Sequence, residues 1–417
     1  MNKVLIIGSG GREHALAWKF SEDEDSCDVY CLPGNGGTSE IATNIDLDVN
    51  DFNSIYDFVD INKIDMVVVG PEAPLDKGIV DFFESRDIAI FGPSQYASQL
   101  ECSKLFARKF MNENNIPQPN YYECSDIKSA YEIKEKMGLP LVLKADGLAA
   151  GKGVIMCYSD DDFDQGVKAM FTDKKFGLAS KKISVEECIV GEEVSVFAVC
   201  DGNDFQIIGN AQDHKRIFDN DKGPNTGGMG AYSPAKMCTN RILEKVKSRI
   251  IAPTIDGMKR RGYPYRGFLY VGLMIVDGEP LVIEFNVRMG DPETHVVIPR
   301  IKTSIYEIFS SCINGTIDEV DIVYNSEIFV TIVLASDGYP DKYDVGQPIQ
   351  IADYDGLLFH AGTKLREEKI TVSGGRVLNK VGKGVNLKSA INQAYGFIDN
   401  ISFNGKYYRT DIGKKGL

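Results

Sequence analysis

The sequence predicts a multidomain chain of α/β and α+β type. A doubly wound parallel sheet comes first, a mixed central domain is next, and a small α+β domain ends it. Three observations carry this reading. Short apolar runs alternate with amphipathic helical runs over the first hundred residues, the pattern of a parallel sheet covered by helices. From about residue 120 the pattern changes to strands paired around glycine-rich turns. From residue 328 the chain is strand-rich with a single helix. At 417 residues it is also too long for one hydrophobic core.

Residues 4–7 form a short buried strand. Gly8-Ser9-Gly10-Gly11 turns it into a helix carrying Ala15, Leu16 and Phe20. Residues 29–32 are a second strand, followed by Pro33-Gly34-Asn35-Gly36-Gly37 and a helix with Ile55, Phe58 and Val59 on one face. An apolar strand at 66–69 ends in Gly70-Pro71-Glu72, before a helix at 78–85 and a strand at 88–91. In such sheets ligands bind beyond the C-terminal strand ends, where these three loops lie. After Gly92-Pro93 a helical stretch runs to about Met111, and Pro117 and Pro119 punctuate the chain beyond it. Residues 120–195 read as strand, helix, strand, glycine-rich turn, strand, helix, strand. Two longer strands over 193–210 join at Asp201-Gly202-Asn203, and a polar loop spans 213–234. A helix covers 240–261. A hairpin turns at Asp277-Gly278. A helix begins at the N-cap Ser304 and ends at Gly315. Last come a turn at Ser373-Gly374-Gly375 and a helix near 387–398.

Composition excludes several classes. No apolar run is long enough to cross a bilayer, and residues 4–7 are too short for a signal-peptide core, so a cytoplasmic protein with no membrane partner is expected. The nine cysteines are scattered without a CxxC, which argues for reduced thiols rather than zinc or disulfides. A net charge of −14 disfavours nucleic acid. Anionic small substrates are compatible only if cations concentrate in one cleft.

Five constellations supply that cleft. Glu284 and Asn286 flank Phe285 in the strand after the Asp277-Gly278 turn. Period two places them on one face, where a carboxylate and an amide oxygen suit a hard cation such as Mg²⁺. Alone, the pair fits a capped sheet edge equally well. The turn Arg288-Met289-Gly290-Asp291-Pro292-Glu293 comes directly after and can contact substrate. The run from Lys144 through Gly147, Gly151, Lys152 and Gly153 is delivered by the apolar strand 141–143. Its spacing is not that of a P-loop. It reads as a hairpin lid whose backbone approaches phosphate, with Lys144 a fixed cation. The strand end Glu186-Glu187-Cys188-Ile189 has groups to hold an adenine edge, and Glu193 could bind ribose hydroxyls. Gly8-Ser9-Gly10-Gly11-Arg12 opens a helix and makes an anion site without a complete dinucleotide fingerprint. His14 lies within that helix start and reads as structural. Asp213-His214-Lys215-Arg216 with the glycine-rich run 223–232 forms a loop of the length that usually carries function. Arg12, Lys144, Lys152, Lys215, Arg216 and Arg288 all fall in loops or strand ends, as several phosphates meeting in one pocket require.

The order of Lys104, Lys144 with its glycine-rich lid, the 186–189 segment and Glu284-x-Asn286 resembles the ATP-grasp superfamily. The strings at 8–14, 70–75, 213–216, 223–232 and 288–293 resemble the glycinamide ribonucleotide synthetase family, and the likeness spans essentially the whole chain. The resemblance implies an N-terminal domain at 1–103, an ATP-grasp domain at 104–327 with a mobile lid at about 120–190, and a C-terminal domain at 328–417. It implies ATP-dependent ligation of glycine to 5-phosphoribosylamine in purine biosynthesis, through glycyl phosphate, giving glycinamide ribonucleotide, ADP and phosphate. Lys104, Lys144, Gly151 and Lys152 would then hold phosphates, and Glu186, Glu187, Ile189 and Glu193 adenosine. Glu284 and Asn286 would bind Mg²⁺ or Mn²⁺. Gly10, Gly11, Arg12, Glu13 and Asn35 would hold the ribose 5-phosphate. Arg288, Asp213 and Lys215 would serve catalysis, with Asp213, Arg288 and Asp291 positioning substrate. Departures are Tyr270-Val271-Gly272-Leu273-Met274 on the preceding strand, where a further acidic ligand is common, Met289 for Phe, and His295 for Gln. No second catalytic region is present, so a single activity in a monomer is expected. A sibling carboxylate–amine ligase or a biotin- or bicarbonate-requiring carboxylase of the same fold, a nicotinamide-dependent oxidoreductase and a non-catalytic nucleotide sensor are the alternatives. The oxidoreductase leaves the lid and the Glu284/Asn286 pair unexplained.

Overall fold

The computed structural model describes residues 1–23, 27–148 and 153–417. The N-terminal unit is a five-stranded parallel sheet in the order Thr43–Asn44, Asp28–Pro33, Lys3–Gly8, Met66–Val69, Ile90–Phe91. Val4 pairs with Val29 on one side and Met66 on the other. The apolar runs Val4-Leu5-Ile6-Ile7 and Val67-Val68 are buried on both faces, as helix-covered parallel strands require. The strand order reverses at Lys3–Gly8, so the loop into the helix Gly11–Glu22 sits at the topological switch point.

The lid is a four-stranded antiparallel sheet ordered Tyr121–Cys124, Ile183–Glu187, Leu141–Ala145, Val154–Cys157. Helices Ile127–Met137 and Asp160–Val167 pack against it over a separate core that includes Leu141, Leu143, Phe163 and Val185. A subdomain with its own core can move as a body.

The rest is organised by a nine-stranded sheet. Its path runs Glu279–Asn286, Arg266–Val276, Glu192–Asp201, Phe205–Asp213, Gly230–Ser233, Ile328–Ser336, Arg376–Gly384, Leu357–His360, with Lys406–Tyr407 added beside Ile328–Ser336. The C-terminal α+β domain is therefore fused to the central domain through Gly230–Ser233, where Ala231 opposes Thr331, rather than standing apart. The expected polar loop over 213–234 contains this strand and a small hairpin, Arg216–Phe218 against Lys222–Asn225. Its turn residues Asn220 and Asp221 adopt left-handed φ of 59° and 52°, which short polar side chains tolerate. Asp277 and Gly278 both take positive φ, as a two-residue hairpin turn demands. The Ser304 hydroxyl caps the helix Ile305–Asn314, and Gly315 ends it with φ 77°. All cysteines but Cys188 are buried, and no disulfide forms among the described residues. Among those residues no helix is long and apolar enough to cross a membrane.

Candidate active site

Glu284 and Asn286 lie in the strand Glu279–Asn286, opposite Gly272 and Tyr270 of its neighbour. A Cβ on Gly272 would stand 2.9 Å from the Glu284 Cγ, so glycine there makes room for the Glu284 side chain. Burial alone would raise the Glu284 pKa. Lys215, Lys104, Lys144 and Arg288 overcome it and hold the carboxyl down at about 2. An ionised carboxylate beside the Asn286 amide oxygen is a donor set that fits a hard divalent cation. The Asn286 Oδ1 accepts from the Arg288 guanidinium at 3.3 Å.

The lid reaches this pair through Lys144. Its ammonium donates to the Ile283 carbonyl at 2.9 Å and pairs with Glu186 at 2.9 Å. Burial pushes Lys144 below the ordinary lysine range although Glu186 pulls it back up. Glu186 is itself 1% exposed. Arg108 grips it with two bonds of 2.9 and 2.6 Å, and the Ser184 hydroxyl adds a third at 2.9 Å. Burial opposes the Glu186 charge, but Lys144 and Arg108 hold its pKa at about 2. Ile183–Glu187 is a central strand of the lid, paired on both sides, and the Glu186 carboxylate braces Lys144. Glu187 is exposed, and its Oε2 accepts from the Asn120 amide at 2.8 Å. The ladder ends there, leaving Ile189 at the open strand end. Glu193 is taken up by the Lys215 ammonium, which also reaches Glu284 at 3.4 Å. Gly151 and Lys152 lie outside the described residues. The Lys104 ammonium donates to the Glu101 carbonyl at 3.1 Å.

Arg288 ties three segments together. It donates to Glu101 at 2.7 Å and to Glu72 at 3.2 Å, while the Val287 N–H donates to Glu101 at 2.8 Å. Burial weakens its charge, but Glu101 and Glu72 outweigh that and raise its pKa. Asp213 and Lys215 are two apart and share the cleft side. His214 between them points back into the protein, fully buried. The Asp213 Oδ1 accepts the His214 N–H at 2.6 Å. Burial, then the nearby Glu293, push Asp213 well above the usual carboxylate range. Glu293 accepts from Ser195 Oγ at 3.2 Å and is raised in turn by burial.

A cavity of about 650 Å³ opens at the end of the parallel sheet, lined by Gly10, Asn35 and Asp291, and by Thr363, Lys364 and Arg376 from the C-terminal domain. The Asn35 amide donates to Ser9 O at 2.9 Å and His360 O at 2.8 Å, fixing the loop that forms the wall. Arg376 pairs with Asp291 at 3.2 Å. Two expected ligands of this cavity are corrected. Glu13 is 1% exposed, and its carboxylate caps the helix by accepting the Gly10 N–H at 2.6 Å. Arg12 donates to Glu13 at 2.5 Å and to Met289 O at 3.2 Å, tying the helix to the 288–293 turn. Spacing i to i+3 at a helix start is a capping signal, and here it is used as one. Gly11 is pressed against the interior, where a Cβ would meet Asn379 Nδ2 at 2.5 Å and His295 Nε2 at 2.7 Å. Glu101, Arg108, Lys364 and Arg376 carry no motif and are not expected from the sequence. Arg108 sits mid-helix, and the others are brought in only by tertiary packing.

Comparison with known proteins agrees with this geometry. Three models of the phosphoribosylglycinamide synthetase family match: the N domain over residues 2–101, the ATP-grasp (A) domain over 102–294 and the C domain over 329–415. A phosphoribosylamine–glycine ligase of Ralstonia nicotianae is 43% identical over 419 residues, covering 100% of this chain and 99% of that protein. One from Leptospira interrogans is 42% identical over 421 residues, with coverage of 100% and 99%. The crystal structure of the Thermotoga maritima phosphoribosylamine–glycine ligase superposes with a TM-score of 0.86 at 33% identity, covering 98% of this chain and 99% of that one. The biotin carboxylase domain of a Hydrogenobacter thermophilus 2-oxoglutarate carboxylase shares the fold, with a TM-score of 0.74 at 17% identity over 98% of this chain and 91% of that one.

Proposed function

The chain belongs to the phosphoribosylglycinamide synthetase family, an ATP-dependent ligase that joins glycine to 5-phosphoribosylamine in purine biosynthesis, and on that premise we propose how its residues share the work. Lys104 and Lys144 bind the ATP phosphates, a role that Gly151 and Lys152 share. The strand end at Glu187 and Ile189 holds adenine, and Glu193 meets the ribose once Lys215 turns to substrate. Glu284 and Asn286 would hold Mg²⁺ or Mn²⁺, which would neutralise charge on the nucleotide phosphates. The cavity with Gly10, Asn35, Asp291, Lys364 and Arg376 takes the sugar phosphate, whose 5-phosphate faces the N-terminus of the helix Gly11–Glu22.

In this reading a glycine carboxylate oxygen attacks the γ-phosphorus, the bond to the β–γ bridging oxygen breaks, and ADP leaves. The phosphoribosylamine nitrogen then attacks the glycyl carbon, the bond to phosphate breaks, and the nitrogen gives up a proton. Arg288 and Lys215 orient and neutralise the anionic groups, and Asp213 faces the glycine ammonium. Work of this kind is positioning and electrostatics. In the same reading the enzyme acts as a cytoplasmic monomer.

The observation that carries the reading is the convergence of Lys104, Lys144, Lys215 and Arg288 on one ionised carboxylate, Glu284. ATP labelled with ¹⁸O in the β–γ bridge tests it. With glycine and Mg²⁺ but no amine, the label should scramble into the β-phosphate. Scrambling that ignores glycine, or none at all while turnover with amine is brisk, rules out the acyl phosphate.

A further inference from the structure

The loop that presents Asp213 and Lys215 is held from behind by a segment far along the chain, residues 406–417. Arg409 has 0% exposure. Its guanidinium makes two bonds of 2.8 Å to the Asp411 carboxylate and reaches Asp221 at 3.1 Å. It also donates to the carbonyl of Arg216 at 2.9 Å. Around it, the Asn220 N–H donates to Asp411 at 2.8 Å, the Thr410 N–H to Asp219 at 2.9 Å, and the Tyr407 hydroxyl to Ile217 O at 3.0 Å. Lys415 pairs with Asp221. One segment thus satisfies the first arm and the turn of the 216–225 hairpin. The left-handed turn residues Asn220 and Asp221 would otherwise have little to hold them.

The second tie is His214. Its Nε2 accepts the Gly413 N–H at 3.2 Å, so its Nδ1 carries the proton and donates to Gly230 O at 3.2 Å. The ring therefore bridges the 406–417 segment to the strand Gly230–Ser233. Because side chains alternate, fixing this ring inward fixes its neighbours Asp213 and Lys215 outward into the cleft. None of these contacts reaches the Lys144–Glu186–Arg108 group.

We propose that Arg409 and His214 are positioning residues for the ligation, setting the placement of Asp213 and Lys215 toward glycine while leaving the Lys144–Glu186–Arg108 group alone. The proposal rests on the role given to Asp213 and Lys215 in the proposed function. A 1 Å misplacement of a catalytic group costs about 10²-fold in rate. Arg409→Gln in the full chain should accordingly lower kcat by about 10²-fold and raise the KM for glycine. A non-hydrolysable ATP analogue with Mg²⁺ should bind with wild-type stoichiometry. Amide exchange should rise over 214–230 and stay unchanged over 121–124 and 183–187. Should Arg409→Gln not fold, His214→Gln, which can still accept from the Gly413 N–H, should exceed His214→Phe in kcat by about tenfold or more. The proposal is overturned if kcat and glycine KM of Arg409→Gln stay within about twofold of wild type. It is overturned equally if kcat falls only in proportion to lost ATP-analogue sites, or if His214→Gln and His214→Phe match. A wild-type chain without glycine-dependent turnover would instead sink the reading of the site, and the exchange pattern would still decide whether the segment holds the loop.

Discussion

The Lys144 ammonium donates to the carbonyl of Ile283 at 2.9 Å, across 139 positions of sequence. That bond puts the lid's cation one residue from Glu284. It brings the hairpin proposed to bind phosphate and the strand proposed to bind metal into one cleft. A site assembled in this way loses little to reorganisation when charge develops in the reaction.

Glu284→Gln should therefore abolish turnover by about 10³-fold or more while leaving far-UV circular dichroism unchanged. Four cations lose their shared counter-charge in this variant. Mn²⁺ binding in the presence of ATP, followed by electron paramagnetic resonance, should weaken in step. Wild-type Mn²⁺ affinity in the variant would remove Glu284 from the metal site.

Arg108→Met should destabilise the chain by about 3–5 kcal/mol, the cost of leaving one member of a buried ion pair uncompensated. Both side chains of the Arg108–Glu186 pair are 2% exposed. Arg108→Lys should recover only part of this, since a single ammonium cannot reproduce the paired grip on Glu186. Urea unfolding checks both, and Lys144, left with a Glu186 that Arg108 no longer holds in place, should show in a raised KM for ATP.

Acid should weaken the fold through its histidines. All four are shifted down: burial holds His214 and His360 at about 4, and lowers His14 and His295 as well. The folded value lies below the unfolded value of about 6.5, so unfolding takes up protons. The stability from each neutral histidine is complete above about pH 6.5 and is lost as pH falls toward 4. Buried acids with raised values, Asp213, Glu101 and Glu293, work in the opposite sense over part of this window. The clean measurement is a difference. Between pH 6.5 and 4, the slope of unfolding free energy against pH should be shallower in His360→Gln than in wild type by up to about 1.4 kcal/mol per unit. Equal slopes would mean that His360 titrates normally.

Much of the site is legible in the chain, and the residues that sequence misplaces share a cause. Period two in a hairpin strand places Glu284 and Asn286 on one face without any tertiary information. An apolar strand ending in lysine and glycines locates Lys144. The three glycine-rich strand ends mark the sheet's ligand edge. The partners of Glu186 are not legible, because its strand can be read from the sequence but the strand order cannot. Only the central position of Ile183–Glu187 shows that its carboxylate faces Lys144 and Arg108. Glu13 is legible as a cap, since it stands three residues after the residue that opens the helix, but proximity to glycines favours a ligand reading. Lys364 and Arg376 give no signal at all. They are ordinary hairpin residues that reach the cavity because the C-terminal strands extend the central sheet.

Gly11→Ala separates local propensity from packing. In a helix, alanine should stabilise over glycine by about 1 kcal/mol. At Gly11 the added Cβ would stand 2.5 Å from Asn379 Nδ2 and 2.7 Å from His295 Nε2. Neither neighbour can retreat: Asn379 is 1% exposed, and the buried His295 ring stacks on Phe359 with centroids 5.4 Å apart. Overpacking of this kind costs about 1–3 kcal/mol, so the sign reverses and the variant should be less stable. The displaced helix start also carries Gly10 away from the sugar-phosphate cavity. The KM for phosphoribosylamine should rise while those for ATP and glycine hold. Adding Asn379→Ala should relieve the clash and recover part of both losses. If Gly11→Ala proves more stable than wild type, the interior behind this helix has room to spare, and the cavity wall is not set by Asn379 and His295.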